Sequence, residues 1–194
     1  MKAKYPDEAE CIAMLKARRC SRRVILHCCT VAALARVIAE RIECDGDLVV
    51  AGAMLHDIGR AVDHTIMHAY VGYEMTREMG LPTELSEIVR KHTGAGLDAI
   101  EVGEMGLPPG DYIPSTIEEK IVAHADNKVS GDTVVPHTHT SHRLREKGAH
   151  RGADRVEALH AELSEAYGAD LDTITRVTLG EPCGRQRVIR RFRP

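Results

Sequence analysis

The chain has 194 residues, 43% of them hydrophobic, enough for one substantial domain with its own core. Aromatic residues make up only 3%, so Leu, Ile, Val, Ala and Met must build that core. A net charge of −3 argues against wholesale nucleic-acid binding, and no stretch reaches the roughly 18 apolar residues of a membrane helix.

The opening MKAKYPDEAEC has no apolar run of the kind a signal peptide needs, so a soluble, cytoplasmic protein is expected. Pro6 and the acids after it open a first helix to about Cys20. A second runs from about Arg22 to Glu43 on the stripe Val24, Cys28, Val31, Ala35, Ile38 and Ile42. The six cysteines show no C-x-x-C spacing and read as buried thiols. Asp45-Gly46 makes a turn, and Asp47 is the expected cap of a third helix to about Ile58. Thr65 is the expected cap of a fourth, ended at Met79 by Gly80. Leu81-Pro82-Thr83 starts a fifth, with Leu85, Ile88 and Val89 facing inward.

From Thr93 to Pro114 glycine and proline dominate, with one short helix near Ala99 to Met105. A segment this irregular reads equally as a lid or as a static loop. Ser115 with Glu118 reads as a capping box for a sixth helix through Ile117, Ile121, Ala125 and Val129. SGDTVVPHTHTSH reads as a polar loop. Helices are expected near Gly152 to Tyr167 and Leu171 to Val177, then a basic tail over 181–194. No strand signal, repeat or second core stands out. The expectation is one all-α domain over 1–180, with its motif core at 22–130 and C-terminal helices at 150–178.

Ionisable residues interrupt the apolar stripes. His27 lies between Val24 and Val31, His92 follows Ile88 and Val89, and Asp126 lies between Val122 and Val129. His68 shares a face with Val71 and Met75, and His56-Asp57 end the apolar run AGAML. Burying four imidazoles and two carboxylates is costly unless they pair or share a metal. That mixture of donors suits zinc, iron(II) or manganese better than magnesium.

The ordered set H…HD…D at His27, His56-Asp57 and Asp126, with HDIG intact at 56–59, resembles the HD-domain superfamily of metal-dependent phosphohydrolases. The resemblance runs from about Arg22 to Lys128. HAYVG at His68 and KHTGAG at His92 resemble the segments that complete a binuclear site in some members. HTGAGLDAIEVGEMGLPPGDYIPSTIEEKIVAHADN is most similar to a small archaeal HDIG subgroup. The absence of a GYP motif after His92 argues against cyclic di-GMP as substrate.

The resemblance implies an HD helical bundle and two divalent transition metals, iron or manganese ahead of zinc or nickel. His27, His56, Asp57 and Asp126 would hold the first, and His68 and His92 the second, with Asp57 bridging. It implies hydrolysis of a small phosphorylated substrate, a nucleotide or similar phosphoester, by a metal-activated water. Arg60 and Lys128, close to motif residues, are expected to neutralise phosphate. His64, four residues before His68, is expected to share its helix face and reads as a substrate contact, a proton donor or a surface histidine. His124 is expected to point away from the site, and His137, His139 and His142 to lie in the polar loop. Two rivals stand beside the hydrolase: a mixed-valent di-iron oxygenase and a non-catalytic nucleotide sensor. The oligomeric state is left open.

Overall fold

A computed structural model describes residues 4–175. Cys183, the Arg-rich tail and the end of the helix expected to Val177 lie outside them. The described chain is all-α apart from one small hairpin. Its helices are α1 (Glu8–Ala17), α2 (Arg22–Ala39), α3 (Gly46–Leu55), α4 (His68–Glu78) and α5 (Thr83–Lys91), then α6 (Ala99–Glu104), α7 (Ile117–Asn127), α8 (His137–Glu146) and α9 (His150–Tyr167). Single 3-10 turns occupy Ile58–Ala61 and Leu171–Thr173. None of these helices is long and apolar enough to cross a membrane.

The core lies between α2, α3, α5 and α7, where Ile25, Leu34, Ile38, Leu55, Leu85 and Ile121 are fully buried. Each such side chain contributes about 1.5–3 kcal/mol, so this layer fixes the helices that carry the ionisable residues. Cys11, Cys20, Cys28 and Cys29 are buried thiols, as expected, whereas Cys44 is only half-buried. Burial pushes the Cys28 thiol well above its ordinary pKa, which keeps it protonated.

Several helix starts differ from the sequence reading. Asp45, not Asp47, caps α3: its carboxylate accepts from the Leu48 N–H, and Asp47 falls inside the first turn. α3 also ends three residues early, at Leu55. Thr116 with Glu119, not Ser115 with Glu118, forms the capping box of α7. Glu118 instead accepts from the Asp45 N–H, while Glu119 is buried against the Lys91 ammonium. α4 starts at His68 rather than after Thr65, because Asp63 and Thr65 close a local turn of their own.

The expected polar loop after α7 is a hairpin followed by a helix. β1 (Val129–Ser130) pairs antiparallel with β2 (Thr133–Val134) around Gly131, whose φ is +65°. α8 has Ser141 as its sole buried residue, so it offers no apolar stripe to read. The segment between α5 and α7 is anchored. Arg155 on α9 bonds Glu101 and the Gly96 carbonyl, and Lys91 lies 3.0 Å from Asp111. Val102, Leu107 and Tyr112 form a small core of their own there. These ties favour the static loop over the lid.

Candidate metal centre

Five elements deliver the six ionisable side chains to one place. His27 comes from the middle of α2, His56 from the C-cap of α3, and Asp57 follows it. His68 is the first residue of α4, His92 is the C-cap of α5, and Asp126 lies in the last turn of α7. The early end of α3 lets neighbouring residues work together. Adjacent positions on a helix point about 100° apart, but Asp57 has left the helix, at φ −98° and ψ 14°.

Gly59 is a matter of space rather than of ending the helix. A Cβ on it would lie 2.0 Å from the His68 carbonyl oxygen and 2.6 Å from the Gly72 nitrogen. Gly72 reciprocates, since its Cβ would meet Val89 at 2.8 Å and the Gly59 nitrogen at 3.1 Å. The two glycines let the 3-10 turn and α4 touch backbone to backbone, which brings His68 against Asp57.

All four imidazoles are oriented the same way. Nδ1 of His27, His56, His68 and His92 donates to the carbonyls of Gly131, Ala53, Thr65 and Val89 at 2.8, 2.7, 2.5 and 2.7 Å. A carbonyl only accepts, so Nδ1 carries a proton, and in the neutral form of each ring the lone pair of Nε2 turns inward. Those lone pairs face one another: His27 and His56 Nε2 are 3.2 Å apart, and His68 and His92 Nε2 are 3.1 Å apart. Facing lone pairs repel unless a proton or cation lies between them.

The two carboxylates lie against these rings. Asp126 Oδ1 lies 2.9 Å from His27 Nε2 and 3.5 Å from His56 Nε2. Asp57 divides its oxygens: Oδ2 is 3.8 Å from Nε2 of both His27 and His56, and Oδ1 is 3.2 Å from His68 Nε2 and 3.6 Å from His92 Nε2. His27, His56 and Asp57 form one close group of donors, Asp57, His68 and His92 another, and His56, His92 and Asp126 a third that links them. Imidazoles with fixed tautomers beside two carboxylates are a donor set that fits divalent transition-metal binding.

Electrostatics agree with that fit. Burial opposes charge on His56, but Asp57 and Asp126 outweigh it and push its pKa up to about 9. Burial dominates at His92, whose pKa is lowered. Burial would raise both carboxylates, yet the surrounding imidazoles hold Asp57 and Asp126 well below the usual range. The cluster attracts positive charge, supplied by either a proton or a metal.

The HD domain family matches residues 24–129. The chain belongs to that family. It is 44% identical over 171 residues to a tRNA (cytidine(56)-2'-O)-methyltransferase of Picrophilus torridus, a match covering 88% of this chain and 50% of that one. The chain thus spans about half the length of that relative. An uncharacterised protein of Methanocaldococcus jannaschii is 48% identical over 117 residues, which cover 58% of this chain and 69% of that protein. The HD domain of the L. monocytogenes phosphodiesterase PgpH, crystallised with cyclic-di-AMP, shares the fold. Its TM-score is 0.51 at 18% identity, over 80% of this chain and 97% of that chain.

The HD cluster opens on a cavity of about 700 Å³. His27, Asp57 and Asp126 are in its wall, together with Arg60 and His64. Arg60 Nε donates to Asp57 Oδ1 at 2.6 Å, so the guanidinium sits beside the HD aspartate. His64 is exposed on the irregular stretch before α4 and does not share a helix face with His68 as expected. Lys128 is a correction. Two residues beyond Asp126, it is turned out of the cavity and buried. Its Nζ donates to the Leu171 carbonyl and to Asp172, both at 2.6 Å.

His124 does point away from the cluster and is fully buried, with its ring 5.2 Å from that of His160. His137 is in α8, not in a loop, and bonds Asp172 at 2.9 Å. Sequence reasoning missed three cavity-wall cations, Arg23, Arg143 and Lys147, and the Gly131 carbonyl that orients His27. Only the i, i+4 spacing of Arg23 and His27 was available as a signal.

Proposed function

We propose that the chain is a metal-dependent phosphohydrolase that cleaves a phosphoester of a nucleotide or similar small molecule. The divided carboxylate of Asp57, with two imidazoles close to each oxygen, is the observation that carries the reading. His27, His56, Asp57 and Asp126 would hold one metal, and Asp57, His68 and His92 the other. Such a pair supplies a water of lowered pKa and positive charge for the phosphoryl oxygens.

The chain's own residues do the rest. The four Nδ1–H bonds to carbonyls hold the rings in one tautomer, so no reorganisation is needed. Arg60, about one-third exposed, is free to turn from Asp57 towards a phosphoryl oxygen. His64, exposed on the cavity wall, would give a proton to the leaving oxygen. Water and a phosphomonoester become alcohol and phosphate, and water and a phosphodiester become alcohol and a phosphomonoester.

Metal analysis of the purified protein comes first, then a hydrolysis screen with manganese, iron and nickel. The expected result is two metals per chain and cleavage of at least one nucleotide phosphoester. Asp57→Asn should lower that cleavage by about 10³-fold, since several kcal/mol of charge stabilisation is lost. Protein that binds no transition metal and cleaves no phosphoester overturns the reading. So does methyl transfer to tRNA without hydrolysis.

A further inference from the structure

The cavity wall carries more positive charge than the reacting phosphate needs. Arg23, Arg60, Arg143 and Lys147 all line it. Arg60 is engaged by Asp57. Arg23, Arg143 and Lys147 are exposed, and none has an acidic partner among the described residues. Beyond Asp57 and Asp126 the sole acid in the wall is Glu101, and Arg155 takes it.

The pattern on α8 and its C-cap separates two faces. Thr140, Arg143, Leu144 and Lys147, at i, i+3, i+4 and i+7, all line the cavity. Arg145, off that face, is neutralised by Asp154 and Glu157. Thr140 Oγ1 donates to the Asn127 carbonyl at 2.8 Å, which pins the cavity face of α8 beside the end of α7 that carries Asp126. Arg23 stands one turn before His27 on α2. On α8 and its C-cap the two cavity-facing cations, Arg143 and Lys147, are without an acidic partner among the described residues, while Arg145 off that face is paired. α8 also lies outside residues 24–129, so this charge is an addition to the part that the family shares.

We propose that Arg143 and Lys147, with Arg23, form a second anion subsite for a phosphate other than the one being cleaved. The proposal rests on the phosphohydrolase reading and narrows its substrate. One phosphoester sits at the His–Asp cluster, and at least one further phosphate sits against α8. Arg offers a bidentate fork and Lys a point charge, a combination suited to phosphate oxygens. Free nucleoside polyphosphates and the phosphorylated end of a short oligonucleotide both have this chemistry.

The test compares probes carrying one phosphate with probes carrying several, on the full chain. Binding is read with a 5′-phosphorylated, phosphorothioate-linked dinucleotide, a nucleoside triphosphate analogue that resists cleavage, and a nucleoside monophosphate. The wild type should bind at least one of the first two about 10-fold tighter than the monophosphate. Arg143→Ala with Lys147→Ala should remove that preference, and the exposed Arg22→Ala, matched for one lost charge, should keep it. In metal-loaded protein the ratio of KM values for the cleavable counterparts should shift by the same factor.

A double variant that keeps the preference, or weakens all probes equally, overturns the subsite. A wild type that shows the preference but hydrolyses nothing leaves the subsite standing and removes the hydrolase reading. Whichever of the two richer probes binds tighter supports the subsite and names its source.

Discussion

Two histidine–carboxylate clusters lie on opposite sides of α7, built from the same residue types with different chemistry. The first is His27, His56, Asp57, His68, His92 and Asp126; the second is His124, His137, His160 and Asp172. In the first, every Nδ1 is tied to a backbone carbonyl and every Nε2 turns inward. In the second, the Lys128 ammonium occupies Asp172 Oδ1, His137 occupies Oδ2, and the His137 and His160 rings stack 3.6 Å apart. Asp172 is thus already neutralised from inside the protein. Arg60 does touch Asp57, but it is one-third exposed and can withdraw, whereas Lys128 is 1% exposed and cannot. Each cluster holds at least one group of three donors close enough to share an ion. The commitments of the remaining atoms leave the donors of the first cluster open to a metal and make the second an internal ion-pair network.

Removing one imidazole from each cluster is the sharpest way to break that contrast. His92→Ala should take metal content from two per chain towards one and reduce hydrolysis by about 10²-fold or more. His137→Ala should leave metal content unchanged. Elemental analysis of both variants reads the difference, and equal metal loss from both would erase the distinction.

Gly59→Ala tests whether close backbone approach holds the first cluster together. The added Cβ meets backbone at 2.0 Å, which no side-chain rotation relieves. A cost of about 3 kcal/mol is expected, lowering Tm by roughly 6–12 °C for a chain this size. Because α4 must retreat, the His68–His92 half-site should lose its metal before the His27 half-site does. Calorimetry together with metal analysis checks both effects.

The sequence made the first cluster readable because each member interrupts an apolar stripe, as His27 does between Val24 and Val31 and Asp126 between Val122 and Val129. Helix existence was equally plain for α2, α5 and α7. Cap register was not, because Asp45 and Asp47, or Ser115 and Thr116, offer equivalent oxygens one or two residues apart. Tertiary partners made the choice. Lys128 was misread because closeness in sequence to Asp126 was taken for closeness in space. Two residues along a helix turn a side chain by about 200°, here towards Asp172. α8 and its Arg143 were invisible for the opposite reason: a helix that buries only Ser141 carries no apolar period. The space Gly59 leaves for His68 and Gly72 depends on a contact between elements, which no local pattern encodes.

The smallest expected effect concerns the second cluster at acid pH. Neither ring nitrogen of His124 has a hydrogen-bond partner among the described residues. Burial above all, and then the charges of His160, Lys128 and His137, lower its pKa to about 3. The folded pKa is depressed below the unfolded value of about 6.5. Between those values the unfolded chain binds a proton that the folded chain refuses, so His124 costs stability as pH falls from about 6.5 towards 3. The slope is roughly 1.4 kcal/mol per pH unit once the unfolded group is protonated. His124→Leu fills a similar space and leaves no polar atom unpaired, so near pH 7 its stability should match the wild type within about 1 kcal/mol. At pH 5 the variant should be more stable by about 2 kcal/mol. Urea unfolding at the two pH values measures both numbers. A variant no more acid-resistant than the wild type would mean that His124 finds a proton acceptor, and the second cluster would then be more responsive than its internal neutralisation by Lys128 implies.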